Sequence, residues 1–271
     1  MKKILCPTDF SDTSLSAITY AAEFVQHTGG ELTLLNVAPL SSMTDAAFPG
    51  GNQVTVKAAA ERLESQCEEV RRLYGIQCKP QVAPTYDNLG NTIGEQSAAH
   101  ELIVMGTNGP DDLRQFFLGT NTYNTFTAVS TPVLIVPEGV SYHEIRNITY
   151  AFDYLSTRML PLDPLRQFAG MVGAQITVLQ VMEEAISLEA NEDLRELQFI
   201  LQAKYEDCPL NFETIRSSDV ARSIDQHVAK TKPDMLAVCS RDRNFLERLF
   251  HRSVLKILTA IGSYPIFAFK A

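Results

Sequence analysis

The chain has 271 residues, enough for about two domains of ordinary size, and is 45% hydrophobic and 20% charged, the balance of a soluble globular protein. Asp and Glu number 32 against 23 Lys and Arg, a net charge of −9. That excess argues against a general nucleic-acid backbone binder but leaves room for a small anion site made of main-chain amides. No apolar run approaches the roughly 20 residues that span a bilayer, and the start, Met1-Lys2-Lys3 with a few apolar residues before Thr8-Asp9, is too short for a secretory signal. A cytoplasmic protein is expected, with no membrane and no nucleic-acid partner.

In chain order, short apolar runs at 2–6, 31–37, 101–105 and 132–136 read as buried parallel strands, with a weaker strand at 76–82. A helix is expected from Ser11, with Leu15, Ile18, Ala21, Ala22, Phe24 and Val25 on its 3.6-residue period and Gly29-Gly30 as its stop. Residues 54–73 supply a second, with Val56, Ala59, Ala60, Leu63, Cys67, Val70 and Leu73 along one face, and 90–99 a third. The stretch from Ala38 to Gly51, rich in Ser, Pro and Gly, reads as a mobile loop. Alternation of strand and helix predicts a doubly wound α/β sheet, with any ligand outside the carboxyl ends of the strands.

The pattern occurs twice. Ile4-Leu5-Cys6-Pro7-Thr8-Asp9 matches Ile148-Thr149-Tyr150-Ala151-Phe152-Asp153, and Gly29–Val37 matches Gly173–Val181 at the same offset of 144. Glu101–Met105 and Thr131–Val136 then match Asp234–Val238 and Tyr264–Phe269, at an offset of 133. The duplication predicts one domain over 1–138 and another over 147–271, divided by the polar stretch Glu138–Asn147.

Cys6, Cys67, Cys78, Cys208 and Cys239 are odd in number and scattered, so small buried hydrophobes are expected rather than a disulfide or zinc framework. His27, His100, His143, His227 and His251 have no metal-ligand spacing, and surface or capping roles are expected for all five. No metal site is predicted.

After the fourth strand of the first copy comes Gly106-Thr107-Asn108-Gly109, then nine residues, then Gly119-Thr120. A glycine directly after a strand lets bare main chain approach a ligand. Gly119-Thr120-Asn121 is expected to open a helix running to about Ala128, whose first N–H groups and dipole suit a phosphate. Thr120 could cap that helix or bond a phosphate oxygen. The bland alternative is that these glycines serve turns alone.

Lys3–Ser11, Leu35-Asn36-Val37 and Val104-Met105-Gly106-x2-Gly109-x9-Gly119-Thr120 resemble the universal stress protein family, and the likeness extends over both halves. The resemblance implies two tandem Rossmann-like domains of strand order 3-2-1-4-5, pairing their fifth strands as an intramolecular pseudo-dimer, with a homodimer of whole chains also plausible. In that family the three-glycine motif marks the ATP-binding branch. Carried onto this chain, Pro7, Thr8 and Asp9 would lie beside adenosine, the main chain of Val37 would read the adenine edge, and Gly106, Gly109, Gly119, Thr120 and Asn121 would hold ribose and phosphates, with Met105 also counted among the nucleotide-binding residues. Asp111 and Asp112, where the family often has basic or neutral residues, would repel a triphosphate unless they face solvent or share Mg²⁺; capping the next helical turn is the alternative. Asn121 also departs from the usual small or hydroxyl residue.

In the second copy Cys239, Asp242 and Arg252 replace the three glycines, and only Ser253 keeps the hydroxyl. Side chains there occupy the space phosphates need, so that half is expected not to bind ATP. Its loop gathers Arg241, Arg243, Arg248, His251, Arg252 and Lys256 against Asp242 and Glu247, either a solvated face or a patch for an anion, a partner or the other half. The leading expectation is a stress-response module that binds ATP in its first half and whose nucleotide state controls partner contacts. A slow ATPase at the same site and a nucleotide-free adaptor are the alternatives. No catalytic residue is assigned: no positioned base, Walker motif or nucleophile elbow is present.

Overall fold

The computed structural model describes residues 2–41, 50–107, 125, 128–152, 161–182, 188–218, 220–240 and 264–270. The chain divides into two units, Met1–Tyr142 and His143–Ala271. Tyr142 stands edge-on to Tyr20 at 5.4 Å and to Phe24 at 6.1 Å, which ties the segment after Pro137 to the first unit. Just beyond, Asp234 accepts from the main-chain N–H groups of Arg146 and Asn147 at 2.9 and 2.8 Å, anchoring the start of the second.

The first unit runs β1 (Lys3–Pro7), α1 (Asp12–Thr28), β2 (Glu31–Pro39), α2 (Gly51–Tyr74), β3 (Gln77–Thr85), α3 (Leu89–Ser97), β4 (Leu102–Thr107) and β5 (Val133–Pro137). Its strands are all parallel, in the order β3-β2-β1-β4-β5. The central strands are buried on both faces: Ile4, Leu5, Cys6, Leu32, Leu34, Leu35, Leu102, Ile103 and Val104 are fully covered. This explains why they are written as unbroken apolar runs.

Helix α1 starts where Ser11 Oγ accepts the Ser14 N–H and stops at Gly29, whose φ of 79° suits glycine and whose N–H returns to Val25. Alanines 17, 21 and 22 on its buried side let it lie close to the sheet. Leu15 and Leu73, expected on buried faces, are largely exposed instead. Helix α2 turns only Leu63, Cys67 and Val70 of its expected stripe fully inward. Of the expected loop of 38–51, residues 42–49 lie outside the described residues; at its ends β2 continues to Pro39 and Gly51 already begins α2. Asn52 staples its edge, exchanging hydrogen bonds with the Ser41 main chain. β3 is longer than its sequence signal. Pro80 and Pro84 fall where ladder alternation turns the missing N–H away from β2, so an end strand tolerates both.

The second unit repeats the plan: β6 (Asn147–Phe152), α4 (Asp163–Val172), β7 (Gln175–Met182), α5 (Leu188–Lys204), β8 (Leu210–Arg216), α6 (Val220–Thr231), β9 (Met235–Ser240) and β10 (Ile266–Lys270). Its parallel order is β8-β7-β6-β9-β10, the same topology. Aromatic residues take a larger part here: Phe267 lies 4.6 Å from Phe168 of α4 and 5.7 Å from Phe269, which in turn meets Tyr150. All five cysteines are buried, and none is joined in a disulfide. Histidine 227 overturns its expectation: it is 5% exposed, inside the second unit rather than on its surface. Among the described residues no helix is long and apolar enough to cross a membrane.

Candidate functional site

In the first unit the chain proceeds from β1 to β2 to β3 in one direction and from β4 to β5 in the other. The reversal between β1 and β4 opens a crevice at their carboxyl ends, the place where open α/β sheets take ligands. Pro7, Thr8, Asp9, Val37, Met105 and Gly106 all lie at or beside these strand ends. Gly109, Gly119, Thr120 and Asn121 lie outside the described residues, as do Asp111 and Asp112 and, in the second unit, Asp153 and residues 241–256.

The turn after β1 is held by its own side chains. Thr8 is buried; its hydroxyl lies 3.0 Å from Ser14 Oγ and accepts the Phe10 N–H at 3.0 Å. Asp9 points to solvent, and its Oδ1 accepts from the Ser11 N–H at 3.0 Å and the Ser11 hydroxyl at 2.6 Å. Burial pushes the Asp9 carboxyl up, but the bonds from Ser11, with a further one from Ser14, outweigh it and hold the group below the usual carboxylate value. Asp9 is therefore ionised at neutral pH, an acceptor suited to hydroxyl or amino donors of a ligand. Phe10 carries a φ of 67°, a left-handed conformation that costs a bulky residue about 1 kcal/mol or more. Arg62 of α2 covers its ring at 4.3 Å and donates to its carbonyl at 3.5 Å.

The β1–β2 ladder stops early. Its last registered pair is Pro7 with Leu35, and the Thr8 N–H donates to the Leu35 carbonyl at 2.8 Å. Because main-chain groups alternate in direction along a strand, the next ones of β2 to face this way are those of Val37. The chain of β1 has turned off by then. The Thr8 carbonyl, which would receive the Val37 N–H in a longer ladder, is taken by Asn36 Nδ2 at 2.8 Å. Val37 thus presents an N–H and a C=O, side by side and in the plane of the sheet, past the end of β1.

At the end of β4, Gly106 has a packing reason of its own. A Cβ there would stand 2.5 Å from the Thr13 carbonyl, so the glycine lets the first turn of α1 close on β4. Met105 is nearly covered. Thr107 is 5% exposed, and its hydroxyl has no hydrogen-bonding partner among the described residues. Of the helix expected after Gly119, Thr125 and Ala128 are helical, and the Val129 N–H bonds the Thr125 carbonyl at 3.0 Å.

In the second unit the corresponding strand end carries Cys239, a buried side chain at the place of Gly106. Ser14, Asn36 and Arg62 are the site-shaping residues that sequence reasoning assigned no role, whereas Ser11, expected to begin α1, caps it. Asn36 had one signal, a lone amide inside an apolar strand.

The first unit is thus a parallel, doubly wound α/β fold, a class whose ligands lie in the switch-point crevice. The model of the universal stress protein family matches residues 1–137, half of the chain, and the protein belongs to that family. A universal stress protein of Methanocaldococcus jannaschii is 26% identical over 140 residues, 50% of this chain and 81% of that one. The crystal structure of a universal stress protein from Archaeoglobus fulgidus has the same fold over 99% of this chain and 98% of its own, with a TM-score of 0.73 at 18% identity. One from Pseudomonas aeruginosa follows over 100% and 93%, at 0.61 and 17%.

Proposed function

We propose that the first unit, over 1–138, binds an adenine nucleotide, ATP in the first instance, and that the second, over 147–271, does not. The observation that carries this reading is the main-chain N–H and C=O of Val37, which face the switch point past the last β1–β2 pair. An N–H beside a C=O complements the adenine edge, which offers an acceptor beside an amino donor. Asp9, ionised and exposed one strand away, suits the sugar hydroxyls. The glycine motif that begins at Gly106 suits the phosphates, with Gly109, Gly119, Thr120 and Asn121 as the residues closing on them. In the sequence of the second unit Cys239, Asp242 and Arg252 replace the three glycines. Binding with one working and one silent half suits a regulatory module whose nucleotide state controls a partner.

The test is an equilibrium titration of the full chain with ATP and Mg²⁺. One ATP per chain is expected, lost in Gly109→Val with the fold intact by circular dichroism. Two per chain would overturn the silent second unit. No binding at millimolar ATP would overturn the nucleotide reading.

A further inference from the structure

The two units begin with equivalent strand pairs, yet their ladders differ in length. β1 with β2 ends at Pro7–Leu35. β6 with β7 goes one pair further, to Phe152–Gln180, the counterpart of a Thr8–Asn36 pair that the first unit lacks. In a parallel ladder that additional pair means one more bond, from the Val181 N–H to the Phe152 carbonyl. Val181 is the counterpart of Val37.

The side chains at this place account for the difference. In the first unit the Asn36 amide donates to the Thr8 carbonyl at 2.8 Å, while the Thr8 hydroxyl takes the Phe10 N–H and bends the chain away. In the second unit the counterpart of Asn36 is Gln180, whose Nε2 is buried and bonds nothing among the described residues. Where the amide caps the carbonyl the ladder stops, and where it does not the ladder runs on. A polar side chain 8% exposed in the middle of an apolar strand needs a reason to be there, and this bond supplies it.

We infer that Asn36 is a positioning residue: by capping the Thr8 carbonyl it ends the β1–β2 ladder one bond early and releases the Val37 main chain to a planar base. Gln180 leaves the ladder complete, so the second unit has no such pair to offer. This closure acts separately from the loss of the glycine motif. The ligand role of Asn36 rests on the nucleotide reading above; its control of the ladder does not.

The experiment uses the full chain and Asn36→Leu, with Asn36→Asp as a second variant of the same shape should the first not fold. The first readout needs no ligand: amide hydrogen exchange of Val37 by NMR. Without the cap the Val37 N–H joins the Thr8 carbonyl, and its exchange slows by about tenfold or more relative to wild type. A residue that served only the fold would, when removed, speed exchange instead. The second readout is affinity for ATP with Mg²⁺, expected to weaken about tenfold, the equivalent of one hydrogen bond. Unchanged or faster Val37 exchange in the folded variants overturns the inference. Slowed exchange with wild-type ATP affinity overturns its ligand part. If the wild type binds no ATP, the nucleotide reading falls, and slowed exchange still upholds control of the ladder by Asn36.

Discussion

The guanidinium carbon of Arg62 lies 4.3 Å from the centroid of the Phe10 ring, joining the middle of α2 to the turn that carries Asp9. The two residues are 52 positions apart, and the turn residue so held is the one whose φ is 67°. The contact offsets part of the strain stored beside the candidate site. Glycine at position 10 would need no such support, because it adopts positive φ freely.

Arg62 and Phe10 are therefore expected to be coupled. Arg62→Ala should lower stability by about 0.5–1 kcal/mol, the range for an exposed cation over an aromatic ring. In a Phe10→Gly background the same change should cost less, because only the bond to the residue-10 carbonyl is left to lose. Urea unfolding of the four proteins of a double-mutant cycle measures this, and additive effects would show that the stacked pair does not hold the turn.

Gly106 and Gly170 make a matched pair of opposite sign. A methyl group on Gly106 meets the Thr13 main chain at 2.5 Å, which neither a rotamer change nor a flexible tip can relieve. Gly106→Ala is expected to destabilise the first unit by about 1–3 kcal/mol. A methyl group on Gly170, inside α4, would meet nothing within 4 Å, and the residue has no positive φ. Gly170→Ala should stabilise the second unit by about 0.4–1 kcal/mol through the unfolded state. Denaturant midpoints of both variants check the pair.

His227 should make the second unit acid-sensitive. Burial lowers its pKa from the usual 6.5, the nearby Glu213 carboxylate at 3.4 Å opposes that, and Lys230 adds to it. The unfolded chain then takes up the proton first, so stability is complete above the ordinary value and is lost as pH falls through the lower, folded one. Between about pH 7.5 and about pH 5.5 the urea midpoint of the second unit should decline, and less so in His227→Leu. Equal declines in both proteins would assign the sensitivity to other groups.

Much of the architecture was legible because it is written in local patterns. Strands buried on both faces must be apolar throughout, so β1, β2, β4 and β5 announced themselves, and their recurrence exposed the duplication. Ser11 and Gly29 bracketed α1 by cap chemistry that needs no tertiary partner. β3 was weak in sequence because Pro80 and Pro84 break the pattern, and only its place at the end of the order makes them harmless. Leu15 and Leu73 misled, since a 3.6-residue period marks a stripe without saying how wide the covered part is. His227 misled for a related reason: a histidine among helix residues carries no sign of which side of the helix meets the sheet.

The chain by itself determined the doubly wound class, the two copies, the strand ends that carry Pro7, Thr8 and Asp9, and the glycine motif in one copy alone. These follow from periodicity, repeat spacing and residue type, all local in the sequence. Only the tertiary structure decided that the β1–β2 ladder stops at Leu35, that the Val37 main chain lies past its end, and that Arg62 supports Phe10. Each depends on where an amide, a carbonyl or a ring lies relative to a group 28 or 52 residues away. Register and packing set those distances, and no single stretch of sequence contains them.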